Sequence, residues 1–239
     1  MGQIDPQTIL TNCYGPSATA ASQAAFCPYI FRTAGTHSIA VNTTQTATSG
    51  YIQSNLINTG SLATKGFDFE GHYSVDLGDW GMTDSGSLAF SFLGTWVENS
   101  TKEPVTGLGQ YDCAGLYGNT CGVTPTWRHK ARVTWATPWD VSLSVAWRHM
   151  SAVTLASNSN QALLAGSKVP VDNSLAAADY IDLAATWDIR ENVELSGGIN
   201  NLFDKDPPLT TKDVSASNSY PGVYDVLGRY LFLNATVKF

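Results

Sequence analysis

Charge is what this sequence has least of. Only 14% of its 239 residues are Asp, Glu, Lys or Arg, against about 25% in an average soluble protein. The cations are the scarcer sign, 13 Lys and Arg to 20 Asp and Glu, for a net charge of -7. That balance argues against nucleic acid as a partner. No apolar run reaches the roughly 18 residues that a membrane-spanning helix needs, so an ordinary transmembrane helix is excluded. There is no G-x-S-x-G, no H-E-x-x-H and no phosphate-binding glycine loop. The four histidines, His37, His72, His129 and His149, are scattered along the chain. The sequence therefore points to no catalytic constellation, no metal site and no cofactor, and the protein is not read as an enzyme.

Aromatic residues and glycine are plentiful: seven Trp, ten Tyr, nine Phe and 21 Gly. Mean hydropathy is nevertheless only -0.08. Strands that alternate apolar and polar residues give this combination, because the two faces cancel in any window. From Phe67 onward the alternation is sustained. Phe67, Phe69, Gly71, Tyr73, Val75 and Leu77 share one face, and Asp68, Glu70, His72, Ser74 and Asp76 the other. Leu88, Phe90, Phe92, Gly94 and Trp96 form the next stripe, then Trp127, His129, Ala131, Val133 and Trp135. Trp139, Val141, Leu143, Val145 and Trp147 follow, with Trp at both ends, as girdles at two membrane interfaces require. Ile181, Leu183, Ala185, Trp187 and Ile189 precede Val193, Leu195, Gly197 and Ile199. The last stripe is Leu231, Leu233, Ala235, Val237 and the terminal Phe239.

Arg128, Lys130 and Arg132 lie together on the polar side of one strand. Three cations are costly in a dry core and cheap beside water. The pattern predicts an all-β fold: an antiparallel meander of about seven transmembrane strands, oily side to lipid and polar side to an aqueous lumen. Connections alternate short and long, with long loops at about Asn99–Thr126, Thr154–Ala178 and Lys205–Leu227. Asp68, Glu70, Arg128, Lys130, Arg132 and Arg148 face the predicted lumen, where they either meet a ligand or a plug or simply line it with paired charges. The alternative is a soluble β-sandwich binding module of the carbohydrate-binding type, with the same stripes buried under a second layer.

The four cysteines make no C-x-x-C. Cys13 and Cys27 bracket one small-residue stretch, and Cys113 and Cys121 another, so two local disulfides in an oxidising compartment are the simple reading. Residues 1–61 read as a long, partly structured extracellular loop region carrying the first pair, in which Ile39–Val41 and Tyr51–Leu56 are expected to form a short hairpin. Residues 62–239 read as the barrel segment. Met1 is not followed by a basic stretch and an apolar run, so no signal peptide is visible.

Thr64-Lys-Gly-Phe-Asp-Phe-Glu70, Tyr111-Asp-Cys-Ala-Gly-Leu-Tyr-Gly118 with Cys121 and Trp127-Arg-His129, Gly198-Ile-Asn-Asn-Leu-Phe-Asp204 with Pro207, and the Gly228-Arg229 strand ending in Phe239 together resemble the C-terminal part of a TonB-dependent receptor. The resemblance implies a bacterial outer-membrane barrel of about 22 strands around an N-terminal plug, of which this chain is a partial segment. It also implies energised uptake of a scarce nutrient: siderophore-iron, cobalamin or oligosaccharide. The implied partners are outer-membrane lipid, the plug and N-terminal strands absent from this sequence, and the TonB complex through the full-length receptor. Leu231, Leu233, Ala235, Val237 and Phe239 would be the signal read by the barrel-assembly machinery.

Overall fold

The computed structural model describes residues 2–238 apart from positions 17, 34, 36, 40–49, 55, 58–59, 105–108, 167–169 and 212–217. Its long strands are β1 (Ser61–Asp76), β2 (Ser87–Glu103), β3 (Trp127–Ala136), β4 (Val141–Met150), β5 (Ala178–Arg190), β6 (Val193–Asn200) and β7 (Tyr230–Val237). They lie side by side in chain order as one sheet, with β1 and β7 at its edges. β2 through β7 pair antiparallel. Short connections of 77–86, 137–140 and 191–192 alternate with long ones of 104–126, 151–177 and 201–229, the alternation that the sequence predicts.

Register carries each stripe straight across the sheet. One row runs Phe90, Val133, Val145, Leu183, Ile199, Leu231, and the next Leu88, Trp135, Leu143, Ala185, Gly197, Leu233. Because side chains alternate, a slip of one residue at any pair would break these rows. The first two strands run 16 and 17 residues. Trp139 belongs to the β3–β4 turn rather than to a strand, and Asp140 beside it takes a left-handed conformation (φ 58°). Arg190 still pairs with Val193 after a register shift, so the β5–β6 turn is only Glu191–Asn192.

The chain divides into two compact units, Met1–Ala63 with Thr101–Tyr111, and Thr64–Ser100 with Asp112–Phe239. In the first, α1 (Pro6–Tyr14) starts where Asp5 accepts the N–H of Thr8 and Pro6 occupies the first turn. α2 (Ala20–Phe26) starts at a capping box between Thr19 and Ser22. The Cys13–Cys27 disulfide staples the helices over a small core of Ile4, Ile9 and Phe26. The expected hairpin does not form as read: Tyr51–Ile52 pairs with Ile30–Phe31, while positions 40–41 lie outside the described residues. The Phe31 and Tyr51 rings stack at 4.6 Å, and Ile30 and Ile52 pack on the small core, which selects that pairing.

In the second unit the long connections fold into a layer with a core of its own. Leu116–Gly118 and Gly122–Thr124 form a hairpin whose first strand and turn lie inside the loop closed by the Cys113–Cys121 disulfide. Val153–Leu155 runs parallel to Leu116–Gly118 and pairs on its other side with Ser174–Leu175. Tyr117, Val153, Leu155, Leu175, Ala178, Tyr180 and Tyr224 are buried together there.

Candidate ligand-binding face

The two faces of the sheet differ in chemistry. On the apolar face Trp139, Val145 and Trp147 are 68%, 48% and 43% exposed. Among the described residues no second layer covers them, as a sandwich would require. Trp96, Trp127 and Trp147 mark the end near the long loops. Trp135, Trp139 and Trp187 mark the other. Eight residues separate Trp127 from Trp135 on β3, about 26 Å along the strand, close to the roughly 25 Å height of a lipid-facing belt. Three of these indole N–H groups have partners. Trp127 donates to His129 Nδ1 at 2.8 Å, Trp147 to Asp179 Oδ1 at 2.8 Å and Trp135 to the Ser85 carbonyl at 2.8 Å. Gly94 lies under the first girdle, where a Cβ would come within 2.7 Å of the Trp127 ring.

The opposite face carries the charges. Arg128, Lys130 and Arg132 project from β3 as an exposed column, and none of the three makes an ion pair among the described residues. Lys130 lies directly across from Arg148 on β4. Asp68 and Glu70 share this face on β1, and Glu70 holds the His72 ring at 3.0 Å.

Arg148 is engaged differently from its three neighbours. Its Nε and a terminal nitrogen donate to the two oxygens of Asp182 at 2.7 and 2.8 Å. The same terminal nitrogen donates to Asp225 at 3.2 Å, and the guanidinium lies 4.9 Å over the Tyr180 ring. Asp182 also accepts the N–H of Asn201 at 2.9 Å. The Tyr180 hydroxyl accepts the N–H of Asp225 at 3.3 Å. Strands β4 and β5 and the β6–β7 connection therefore meet at one guanidinium.

The long connections are cross-braced around that point. Asp112 accepts the N–H groups of Ser100 and Ala114 at 2.7 and 2.9 Å and the Asn99 amide at 3.1 Å. Burial opposes charge on Asp112, yet these donors hold its carboxyl below the usual range. Its own N–H and carbonyl form a reciprocal pair with the Gln161 amide at 2.7 and 2.6 Å. The Tyr117 hydroxyl donates to the Asp172 carbonyl, and the Asp172 carboxylate accepts from Thr211. Burial, then neighbouring Tyr180, Tyr220 and Tyr117, push the Tyr224 phenol up to about 12.

This geometry gives the Asn200–Asp204 stretch its reason. Asn201, fully buried, takes a left-handed conformation (φ 50°) that asparagine tolerates, and its amide clips both the N–H and the carbonyl of Lys205 at 2.9 Å. Asp204 then accepts the N–H of Arg229 at 2.7 Å. A Cβ on Gly228 would lie 2.8 Å from that same oxygen, and its φ is +69°. The two motifs close the long β6–β7 connection against each other.

A family model described as TonB dependent receptor-like, beta-barrel, matches residues 30–202. The chain belongs to the TonB-dependent receptor family. The ferrienterobactin receptor of Escherichia coli (strain K12) is 32% identical over 79 residues, which cover 29% of this chain and 11% of that receptor. Two crystal structures of the ferric enterobactin receptor of Pseudomonas aeruginosa superpose with TM-scores of 0.51 and 0.50 at 15% and 16% identity, over 80% of this chain. The chain covers 24% of each of those structures. Its fold is that of an outer-membrane barrel wall.

Of the site residues that the sequence singles out, Arg128, Lys130, Arg132 and Arg148 adjoin one another on the wall, and both predicted cysteine pairs are disulfides. Leu231, Leu233, Ala235 and Val237 line the apolar side of β7, and Phe239 lies outside the described residues. Among the described residues no cluster of His, Cys, Asp and Glu is able to hold a metal. Sequence reasoning missed Asp182, Asp225, Tyr180 and Asn201. The one available signal was Asp182, a lone acid on the inner side of an otherwise uncharged stretch from Tyr180 to Trp187.

Proposed function

We propose that this chain forms the C-terminal part of the barrel wall of a receptor for a ferric siderophore, driven by the TonB complex through the rest of that receptor. What supports the reading is the column of Arg128, Lys130 and Arg132, exposed on the inner face and forming no ion pair among the described residues. A cationic wall beside water attracts an anionic cargo, and the named relatives are receptors for an iron chelate. Neither cobalamin nor a neutral oligosaccharide accounts for three unpaired cations in a row. Asp68 and Glu70, two strands away on β1, suit the plug instead.

Seven strands with two open edges do not persist in lipid, so the wall is completed by further strands. The stripe of Leu231, Leu233, Ala235, Val237 and Phe239 serves as the mark for the assembly machinery, and residues 1–61 as an outer loop region. The test uses a receptor carrying this chain, with Arg128, Lys130 and Arg132 all changed to Ala. Binding of an anionic ferric tris-catecholate should fall at least tenfold and lose most of its salt dependence. Unchanged binding of that chelate would overturn the assignment.

A further inference from the structure

Asp225 stands apart from the other carboxylates of the inner face. Asp182 is fixed by three hydrogen bonds, two from Arg148 and one from the Asn201 N–H. The Asp225 carboxylate makes one hydrogen bond among the described residues, at 3.2 Å, to the same Arg148 nitrogen that already serves Asp182. Its backbone is held independently. Its N–H is bonded to the Tyr180 hydroxyl, and the preceding residue, Tyr224, is buried in the core of the loop layer. The side chain is therefore able to turn away from Arg148 without moving the chain that carries it. Arg148 keeps its orientation meanwhile, because the bidentate Asp182 pair and the Tyr180 ring hold the guanidinium plane.

Arg148 also sits at the end of the open cationic column, opposite Lys130. A polyanion drawn to Arg128, Lys130 and Arg132 meets a fourth cation, Arg148, whose terminal nitrogen is held by Asp182 and, more weakly, by Asp225. We infer that Asp225 is an internal counter-anion that competes with the cargo for Arg148 and is displaced when an anionic chelate docks. The inference rests on the proposed anionic cargo and adds a residue that tunes its affinity. Asp225 lowers affinity for anions in the empty receptor, and its displacement leaves a free carboxylate in the loop layer only when the site is filled.

The experiment compares Asp225→Asn with the unaltered residue in a receptor carrying this chain, titrated with an anionic ferric tris-catecholate and, in parallel, a neutral ferric tris-hydroxamate. Asparagine keeps the shape and a hydrogen-bond acceptor while removing the charge. The anionic chelate should bind about three- to tenfold more tightly to Asp225→Asn, the scale of one partly exposed charge contact, and the neutral chelate should be indifferent. Adding Arg148→Gln should erase the gain. Asp225→Ser, which removes the same charge with a smaller side chain, should show the same gain as the asparagine variant. If both Asp225 variants bind the anion no better while their loops resist trypsin normally, the competition does not exist. A gain that survives Arg148→Gln is a diffuse charge effect and equally overturns it. If the unaltered receptor binds no anionic chelate, the proposed function fails first and this inference with it.

Discussion

Within the second unit, the wall and the loops bury opposite things. The strands hold their large apolar side chains outward: Val145, Trp147, Leu231 and Leu233 are all exposed. The buried residues, among them Tyr117, Leu155, Leu175, Tyr180 and Tyr224, sit where the chain is least regular, in the loop layer or where β5 enters it. In a water-soluble sheet the strands supply the core and the loops are solvated. On the proposed reading lipid takes the place of a second layer, so the strands need only lateral hydrogen bonds and a greasy side. The loops project into water and must build a conventional core. The two regions therefore differ in what damages them.

The largest effect is expected in the loop core. Tyr117→Ala removes a fully buried ring and a hydroxyl bonded to the Asp172 carbonyl, and should destabilise the loop layer by about 3–5 kcal/mol. Proteolysis between residues 111 and 178 measures this, while the heat-resistance of the assembled barrel should change little. The wall responds to the reverse kind of change. Val145→Arg places a charge on the lipid side near mid-strand and should cost about 2–4 kcal/mol, seen as loss of folded barrel in membranes. Its neighbour Ser144→Arg points into water and should assemble normally. Equal effects of these two substitutions would contradict the assignment of faces.

The wall was legible in the sequence because its constraint is local. Alternation along Trp127–Ala136 or Val141–Met150 is enforced residue by residue, and the order of short and long connections follows from it. The disulfides were legible because each closes a short separation, 14 and 8 residues. The helices of the first unit were not read, although Asp5-Pro6 and Thr19 are start signals, because their bodies are small and polar and offer little apolar period. The candidate site was half legible. The cations of β3 announce themselves by sharing one face. Arg148 and Asp225 are 77 residues apart, and no spacing rule joins a strand to a loop over that distance. Trp139 fits the stripe of β4 in sequence, but the left-handed Asp140 places it in the turn.

A smaller effect tests the bracing of the loops. Cys113–Cys121 closes a loop of 8 residues, for which chain entropy predicts about 2–3 kcal/mol. Reduction should loosen the Leu116–Thr124 hairpin and leave the wall intact. Retention of full protease resistance after reduction would show that the tyrosine core alone holds the layer.

The smallest effect near neutrality, and the one that separates wall from loops without mutation, is the pH response. Asp112 has a carboxyl held below its usual range, so its contribution is present above about pH 4 and disappears as pH falls through the lowered value. Tyr224 behaves with the opposite sign. Its folded phenol is raised to about 12, so its contribution is complete below about pH 10 and is lost as pH climbs toward 12. The loop layer should therefore show a flat stability plateau across neutral pH with an acid limb and an alkaline limb. Tyr224→Phe should weaken the alkaline limb and leave the acid limb in place, while Asp112→Asn should do the reverse. Near-ultraviolet circular dichroism and tyrosinate absorbance report both limbs. An alkaline limb unchanged in Tyr224→Phe would mean that the phenol does not titrate against the folded layer, and that the tyrosine cluster is held by packing alone.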